Sequence, residues 1–379
     1  MNFFKDHPDL FTLIVAGSFL LSSFASMFYY LYFFRLTARK KKKRIRNDHL
    51  PPCSIIICAK NEGDNLQRNL PSILEQHYPD FEVIVVDDCS EDDTQDVLLL
   101  LKNKYPNLKY TTIKKDEKFT HSKKLALTIG IKAAKNEHLL LTDADCKPVS
   151  NLWIRNIASN YRKNIEIIIA YGAYETTQGI LNKLIRYEAV FTAMQYMGFA
   201  ERGLPFMGVG RNLSYRKSLF FRNKGFASHI SLISGDDDLF ISETANITNT
   251  AIETNTESFT ISIPKDTFKN WYRQRKRHFT TGNRYKLKIR ILLGTEYFLR
   301  IVIILSFIYL LAVNFALPVV LSVFIITLIV KGIIYKIVLQ RLNEKFLFLF
   351  SLIIESFIPY IYIFIVFSNL FEKKHNRWI

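Results

Sequence analysis

Residues 10–34 form an apolar block of about 25 positions without a charge, long enough as a helix to cross a hydrocarbon core of about 30 Å. Three more apolar blocks close the chain, at 297–313, 317–336 and 346–371. Between them the pattern becomes one of short alternating elements. The runs CSIIICAK, FEVIVVDD, LKYTTI and HLLLTD are strand-length and rich in β-branched residues. The segments separating them, NEGDNLQRNLPSILEQ, TQDVLLLLKNKY and HSKKLALTIGIKAAK, repeat apolar residues at helical spacing, as at Leu66, Leu70, Ile73 and Leu74. Buried strands alternating with helices predict an α/β domain over 50–290, with a mostly parallel sheet covered on both faces.

Charge assigns sides to this plan. RLTARKKKKRIR, residues 35–46, follows the first apolar block directly, and the whole chain carries a formal charge of +17. A basic run at a membrane helix end marks the cytoplasmic side and attracts anionic headgroups. The first block is too long, and its flanks are wrong, for a cleaved leader, so an uncleaved anchor is expected. The expected order is a tail at 1–9, the anchor at 10–34, a basic linker at 35–49, the catalytic domain at 50–290, a membrane region at 291–371 and a basic tail at 372–379. The blocks at 297–313 and 317–336 read as a hairpin. The block at 346–371 holds Glu355 and Pro359 and precedes EKKHNRW. That basic tail favours the cytoplasm, whereas three full crossings would put it outside, so an interfacial or re-entrant course stays open for this block.

The four cysteines, Cys53, Cys58, Cys89 and Cys146, lie on predicted strands or their ends without metal-ligand spacing, as buried thiols of a reducing compartment do. No G-x-G-x-x-G and no G-x-x-x-x-G-K-[ST] occurs, which disfavours dinucleotide and P-loop chemistry. In an open sheet of this kind ligands bind beyond the carboxyl ends of the strands. Those ends here read AKNE, VDDCS and TDADC. Asp143 and Asp145, two residues apart at one such end, suit a divalent ion such as Mg²⁺ or Mn²⁺, which takes few protein carboxylates together with substrate phosphates. The same pair on a plain solvated turn would carry no chemistry.

Five motifs in order, SIIICAKNEGDNLQRNLPSIL, VIVVDDCSEDDTQDV, LLLTDADCKP, SGDDDLFI and QRKRH, resemble the family 2 glycosyltransferases of the GT-A fold, over about Pro51 to Arg284. The flanking apolar blocks resemble the membrane-bound members. The resemblance implies an inverting transferase dependent on Mg²⁺ or Mn²⁺. It assigns Glu62 and Asp88, with Asp87 as the lesser neighbour, to the uridine, and Asp143 and Asp145 to metal and sugar nucleotide. Lys123, ahead of the AL pair, would lie near the diphosphate or base. Inverting displacement needs a carboxylate to take the acceptor's proton. Aligning Asp238-Leu239 with the family's second acid makes Asp236 the base and puts Gly235 where a Glu often stands, with Asp237 as the alternative base. Gln274 and Arg277 match the family's Q-x-x-R-W, which ends here in His278. They would hold acceptor or diphosphate, with Trp271 as a replacement stacking platform. Gly208 and Gly210 would admit close backbone approach to a sugar, and Arg211 and Asn212 would face the acceptor.

The expected partners are therefore a nucleotide-sugar donor, with UDP as the expected nucleotide, a lipid or glycan acceptor and the membrane. The expected location is a bacterial inner membrane with the catalytic domain in the cytoplasm. So few apolar blocks, and a histidine in place of tryptophan, favour adding one or a few sugars over making a polymer. Nucleic-acid binding is disfavoured because the basic run has no interleaved aromatics. A transporter is disfavoured because Glu355 is the only acid clearly inside an apolar block.

Overall fold

The computed structural model describes residues 8–34, 50–114, 122–232 and 234–371, without the side chains of 369–371. The basic linker at 35–49 and the basic tail at 372–379 lie outside the described residues. The chain forms two compact units, one with the N-terminal helix and Lys286–Phe371, the other with the intervening chain to Tyr285.

In the membrane-type unit α1 (Leu10–Tyr29) runs into a π-helical turn at Tyr30–Phe34. Asp9 caps α1, its carboxylate accepting from the Thr12 N–H at 2.9 Å. The partners of α1 are numbered here after the helices of the other unit: α10 (Leu287–Ala312), α11 (Leu317–Arg341) and α12 (Phe348–Phe371). All four, with the π-turn continuing α1, are long and apolar enough to cross a membrane. The last block is thus one helix that continues through Pro359. The helix α10 also begins ten residues earlier than its apolar block, which brings Glu296 inside it, one turn before Arg300. Glu355 is therefore not the only buried acid of this unit.

These charges meet. Lys331 donates to the Glu355 carboxylate at 2.7 Å and Tyr30 donates to it at 3.1 Å. Arg300 pairs with Glu296 one turn away, donates to the Glu355 carbonyl at 3.0 Å and donates to the Tyr30 hydroxyl at 2.8 Å. All five side chains are buried. Two cations and two carboxylates balance, as a buried ionic cluster requires.

The second unit is built on a seven-stranded sheet. Its strands are β1 (Cys53–Ala59), β2 (Phe81–Asp88), β3 (Leu108–Ile113), β4 (His138–Asp143), β6 (Ile167–Ala170), β8 (Leu213–Arg216) and β9 (Thr250–Glu253), in the order β3-β2-β1-β4-β8-β6-β9. The first four run parallel, as their alternation with helices predicts; β8 is antiparallel to both β4 and β6, and β9 is parallel to β6. Three short strands, β5 (Cys146–Pro148), β7 (Gly172–Tyr174) and β10 (Thr260–Ser262), make a second sheet in the order β5-β10-β7.

The connecting helices are α2 (Gly63–Leu74), α3 (Thr94–Lys104), α4 (Lys123–Ala133), α5 (Trp153–Ala158), α6 (Ile180–Glu201), α7 (Lys217–Arg222), α8 (Asp238–Thr244) and α9 (Phe268–Phe279). Leu66, Leu70 and Ile73 of α2 bury against Ile55, Ile57 and Val85 in one core cluster. Apolar burial of this kind contributes about 1.5–3 kcal/mol per large aliphatic side chain. On α4, Gly130 permits close packing, since a Cβ there would stand 2.7 Å from Ile56 Cγ2.

Candidate active site

Register levels the acids. Cys58 stands opposite Asp143 and Ala59 opposite Asp87, so the carboxyl ends of β1, β2 and β4 form one rim. Gly210–Asn212, a short 3-10 turn, precedes β8 at this rim, because Leu213 pairs with Leu141. The thiol of Cys58, raised in pKa by burial, has Lys123, Asp143, Asp236 and Asp88 as its charged neighbours. Four residues from distant parts of the sequence therefore converge.

The two loops beside this rim are tied together. The N–H groups of Asn61, Glu62 and Gly63 donate to Ser90, Thr94 and Asp92 at 2.8, 3.0 and 3.1 Å. Asn61 has a left-handed φ of 55°, a conformation asparagine tolerates better than most residues. Asp87 accepts from the Ser90 N–H and from Gln95, both at 3.1 Å, so it shapes the turn after β2. Asp88, also buried, is the last residue of that strand. Glu62 accepts from Asn65 at 2.5 Å. Burial, with Asp145 and Asp143 nearby, raises its pKa.

Lys123 is the hub. Its ammonium lies 2.7 Å from Asp143 and 3.2 Å from Asp236. Burial works against that charge, but Asp143, Asp236 and Asp237 hold the lysine pKa well above its ordinary value. Asp236 follows Gly235, whose φ of +102° and whose crowding by Leu239, 2.6 Å from a built Cβ, exclude a side chain there. This turn accounts for the glycine at the position where the family pattern has a glutamate.

The three consecutive acids separate by partner. Asp237 accepts from the Gly210 N–H at 2.7 Å and caps α8 through the Asp238 N–H, also at 2.7 Å. Asp238 accepts from the hydroxyls of Thr281 and Tyr285 at 2.5 and 2.6 Å. Asp236 is left facing Lys123. Burial alone would raise the Asp236 carboxyl, yet Lys123, its own backbone N–H and Lys124 hold it below the usual carboxylate range. Burial, with Asp236 and Asp238 on either side, pushes Asp237 up to about 7.

A divalent ion fits the residues present. Asp143, Asp145 and Cys146 each offer an atom within 4.8 Å of the others. Burial and the two acids raise the Cys146 thiol well above its ordinary pKa, and it donates to Asp145 at 3.2 Å. The thiol is thus a support for Asp145, and the two carboxylates are the hard oxygen donors that Mg²⁺ and Mn²⁺ prefer. Burial and the Asp143 charge raise the Asp145 pKa, against the opposing charge of Arg211.

The downstream expectations fare unequally. Trp271 is 5% exposed, and its indole N–H donates to the buried Glu188 at 2.7 Å. Its ring packs α9 onto α6 and offers no open face to a sugar. Asn212 is buried and structural, donating to the carbonyls of Tyr171 and Ser258 and accepting from Trp153. Arg211 stacks over Tyr174, 4.1 Å from the ring centre, within electrostatic reach of Asp145. Gly208 packs on Leu213, whereas a Cβ on Gly210 would stand 3.6 Å from the Lys123 ammonium.

Gln274 and Arg277 are half-buried on α9 beside His278, which keeps solvent access. Sequence reasoning missed Lys124, Thr281 and Tyr285. Lys124 carried a signal, for it shares a helical face with Leu127 and Ile131, both buried.

Residues 54–222 match the family model described as glycosyl transferase family 2, a span that holds Glu62, Asp88, Lys123, Asp143 and Asp145 and ends before Asp236. The chain is 24% identical over 255 residues to the probable glycosyltransferase YdaM of Bacillus subtilis, covering 64% of this chain and 58% of that protein. It is 27% identical over 118 residues to the poly-beta-1,6-N-acetyl-D-glucosamine synthase of Staphylococcus epidermidis, covering 31% of this chain and 27% of that one. The chain thus spans less than two thirds of either curated relative. Among solved structures, a mannosyltransferase of Pyrobaculum calidifontis, in complex with GDP-Man and Mn²⁺, superposes with a TM-score of 0.61 at 16% identity. That match covers 96% of this chain and all of the other, and it is a likeness of fold.

Proposed function

We propose that this protein is a membrane-bound inverting glycosyltransferase that moves a sugar from a nucleotide-sugar, expected to be a UDP-sugar, to the hydroxyl of a membrane-associated acceptor. The observation that carries this reading is the Lys123 ammonium bridging Asp143 and Asp236, one acid at the donor end of the sheet and one on the loop before α8. In this reading Glu62 and Asp88 hold the nucleoside, and Lys123 faces the diphosphate. Asp236 takes the acceptor's proton as its oxygen attacks the anomeric carbon from the face opposite the diphosphate. The bond from that carbon to the diphosphate breaks, and a nucleoside diphosphate leaves with inversion. Asp143 and Asp145 would hold Mg²⁺ or Mn²⁺, which when bound neutralises charge on the diphosphate. Gln274 and Arg277 stand toward acceptor or diphosphate. The four apolar helices support a membrane location, and the basic run after α1 supports a cytoplasmic, bacterial inner-membrane orientation.

The test uses the purified full chain in detergent with native membrane lipid and a panel of UDP- and GDP-sugars, with and without EDTA. Transfer from one donor, abolished by EDTA and by Asp145→Ala while UDP-independent thermal unfolding is unchanged, is the expected result. Full transfer by Asp145→Ala in EDTA would refute the metal assignment, and no transfer from any donor would refute the activity.

A further inference from the structure

We propose that Lys124 is a positioning residue that fixes the backbone leading into Asp236 and so sets where that carboxylate meets the acceptor hydroxyl. The inference rests on the reading of Asp236 as the base. Lys124 is 1% exposed. Its ammonium donates to three main-chain carbonyls, those of His229 and Leu232 at 2.7 Å and of Ser234 at 2.8 Å. An ammonium has three N–H donors, and all three are used on one short stretch, 229–234.

That stretch needs an external hold. Among its described residues it has no regular structure before α8 apart from the end of a 3-10 turn at Ala227–His229, and Ser234 leads directly into the Gly235 turn and Asp236. Taking an ammonium out of water costs several kcal/mol unless its donors are satisfied. A merely space-filling position would be occupied by an apolar side chain such as Leu127 or Ile131 on the same face. Charge-assisted bonds to carbonyls are short, strong and directional, which suits a clamp. Ser122 caps α4, its hydroxyl accepting from the Leu125 N–H at 3.3 Å. The first turn of one helix therefore meets the base twice: Lys123 touches its carboxylate at 3.2 Å, and Lys124 holds the chain that carries it.

The two lysines thus have separable effects. Losing Lys123 removes charge beside the diphosphate and the base, and donor affinity falls with it. Losing Lys124 leaves donor groups in place and acts on the base alone, displacing it and removing one of the charges that hold its carboxyl low, and misplacing a reacting group by about 1 Å costs about 10²-fold in rate.

The experiment compares Lys124→Met, Asp236→Asn and the double variant in the full-length protein. Turnover is followed with radiolabelled UDP-glucose, UDP-N-acetylglucosamine or GDP-mannose and native membrane lipid, and UDP affinity by calorimetry. Lys124→Met is expected to lower turnover about 10²-fold with UDP affinity unchanged. In the Asp236→Asn background the same substitution is expected to change the residual rate by less than about twofold, because residues acting as a unit are not additive. Lys124→Gln, which restores two donors on a shorter stem, should fall between Lys124→Met and the parent. An equal loss in both backgrounds, or a fall in UDP affinity that matches the fall in turnover, overturns the proposal. So does failure of both Lys124 variants to fold, which would assign the residue to stability alone. Parental turnover by Asp236→Asn would instead refute the base assignment itself.

Discussion

Asp236 and Asp237 are chemically identical and adjacent, yet their surroundings assign them different work. Asp237 accepts two backbone N–H groups and is pushed up to about 7, whereas Asp236 faces an ammonium and is held low. The pH profile of kcat/KM reports the free enzyme's base. With Asp236 in that role, the acid limb lies below the ordinary aspartate range, because proton acceptance is lost only as pH falls through the lowered pKa. With Asp237 in that role the limb would lie near 7. Asp236→Asn should lower turnover by about 10² or more and leave UDP affinity alone. An acid limb near neutrality, or loss of transfer in Asp237→Asn alone, would move the base by one residue. Linkage gives an independent check. A depressed carboxyl contributes stability above the unfolded pKa and loses it as pH falls, whereas a raised one favours the fold at low pH and loses that contribution as pH rises toward 7. Asp237→Asn should therefore flatten a decline in stability between about pH 4 and 7.

At the level of elements, helices do more here than cover a sheet. The helix α4 contributes two neighbouring lysines that point to different parts of one loop, and α9 uses its tryptophan to grip Glu188 of α6. In the other unit, α10, α11 and α12 and the turn after α1 are joined through Arg300, Glu296, Lys331, Glu355 and Tyr30. Removing one partner of a buried ion pair costs about 3–5 kcal/mol because the other charge is left uncompensated. Glu355→Ala is therefore expected to lower the unfolding midpoint of the detergent-solubilised protein sharply. The double variant Glu355→Gln with Lys331→Met should regain much of the loss, since it removes a charge from each side. Equal midpoints for Glu355→Ala and the parent would show that the cluster holds nothing together.

At the scale of the whole molecule, the question is how many sugars are added. Four helices long and apolar enough to cross a membrane, among the described residues, are few for enclosing a polymer tunnel. The position after Gln-x-x-Arg holds a histidine with a smaller ring than an indole, and Trp271, the other aromatic candidate, is buried against α6. One or a few sugars on an extractable acceptor are the expected product, measured by mass spectrometry and size exclusion. A long ladder of products growing from single enzymes would overturn that expectation in favour of a polysaccharide synthase.

What the sequence by itself determined was what local periodicity encodes. Apolar runs of strand length between helices set the parallel half of the sheet, and uninterrupted apolar blocks set the membrane-type helices. The order of the acidic strand ends brought Glu62, Asp88, Asp143 and Asp145 to one edge, because parallel strands necessarily end together. Only the tertiary structure decided what depends on partners far along the chain. The strand Leu213–Arg216 is too short to announce its direction, and its antiparallel pairing with β4 and β6 brings Gly210 to Asp237. Lys123 and Lys124 are the same residue type in the same turn, and one reaches two carboxylates while the other reaches three carbonyls more than a hundred residues away. Sequence spacing gives the face on which a side chain stands; register and packing choose what stands opposite it, and the opposing group sets the chemistry.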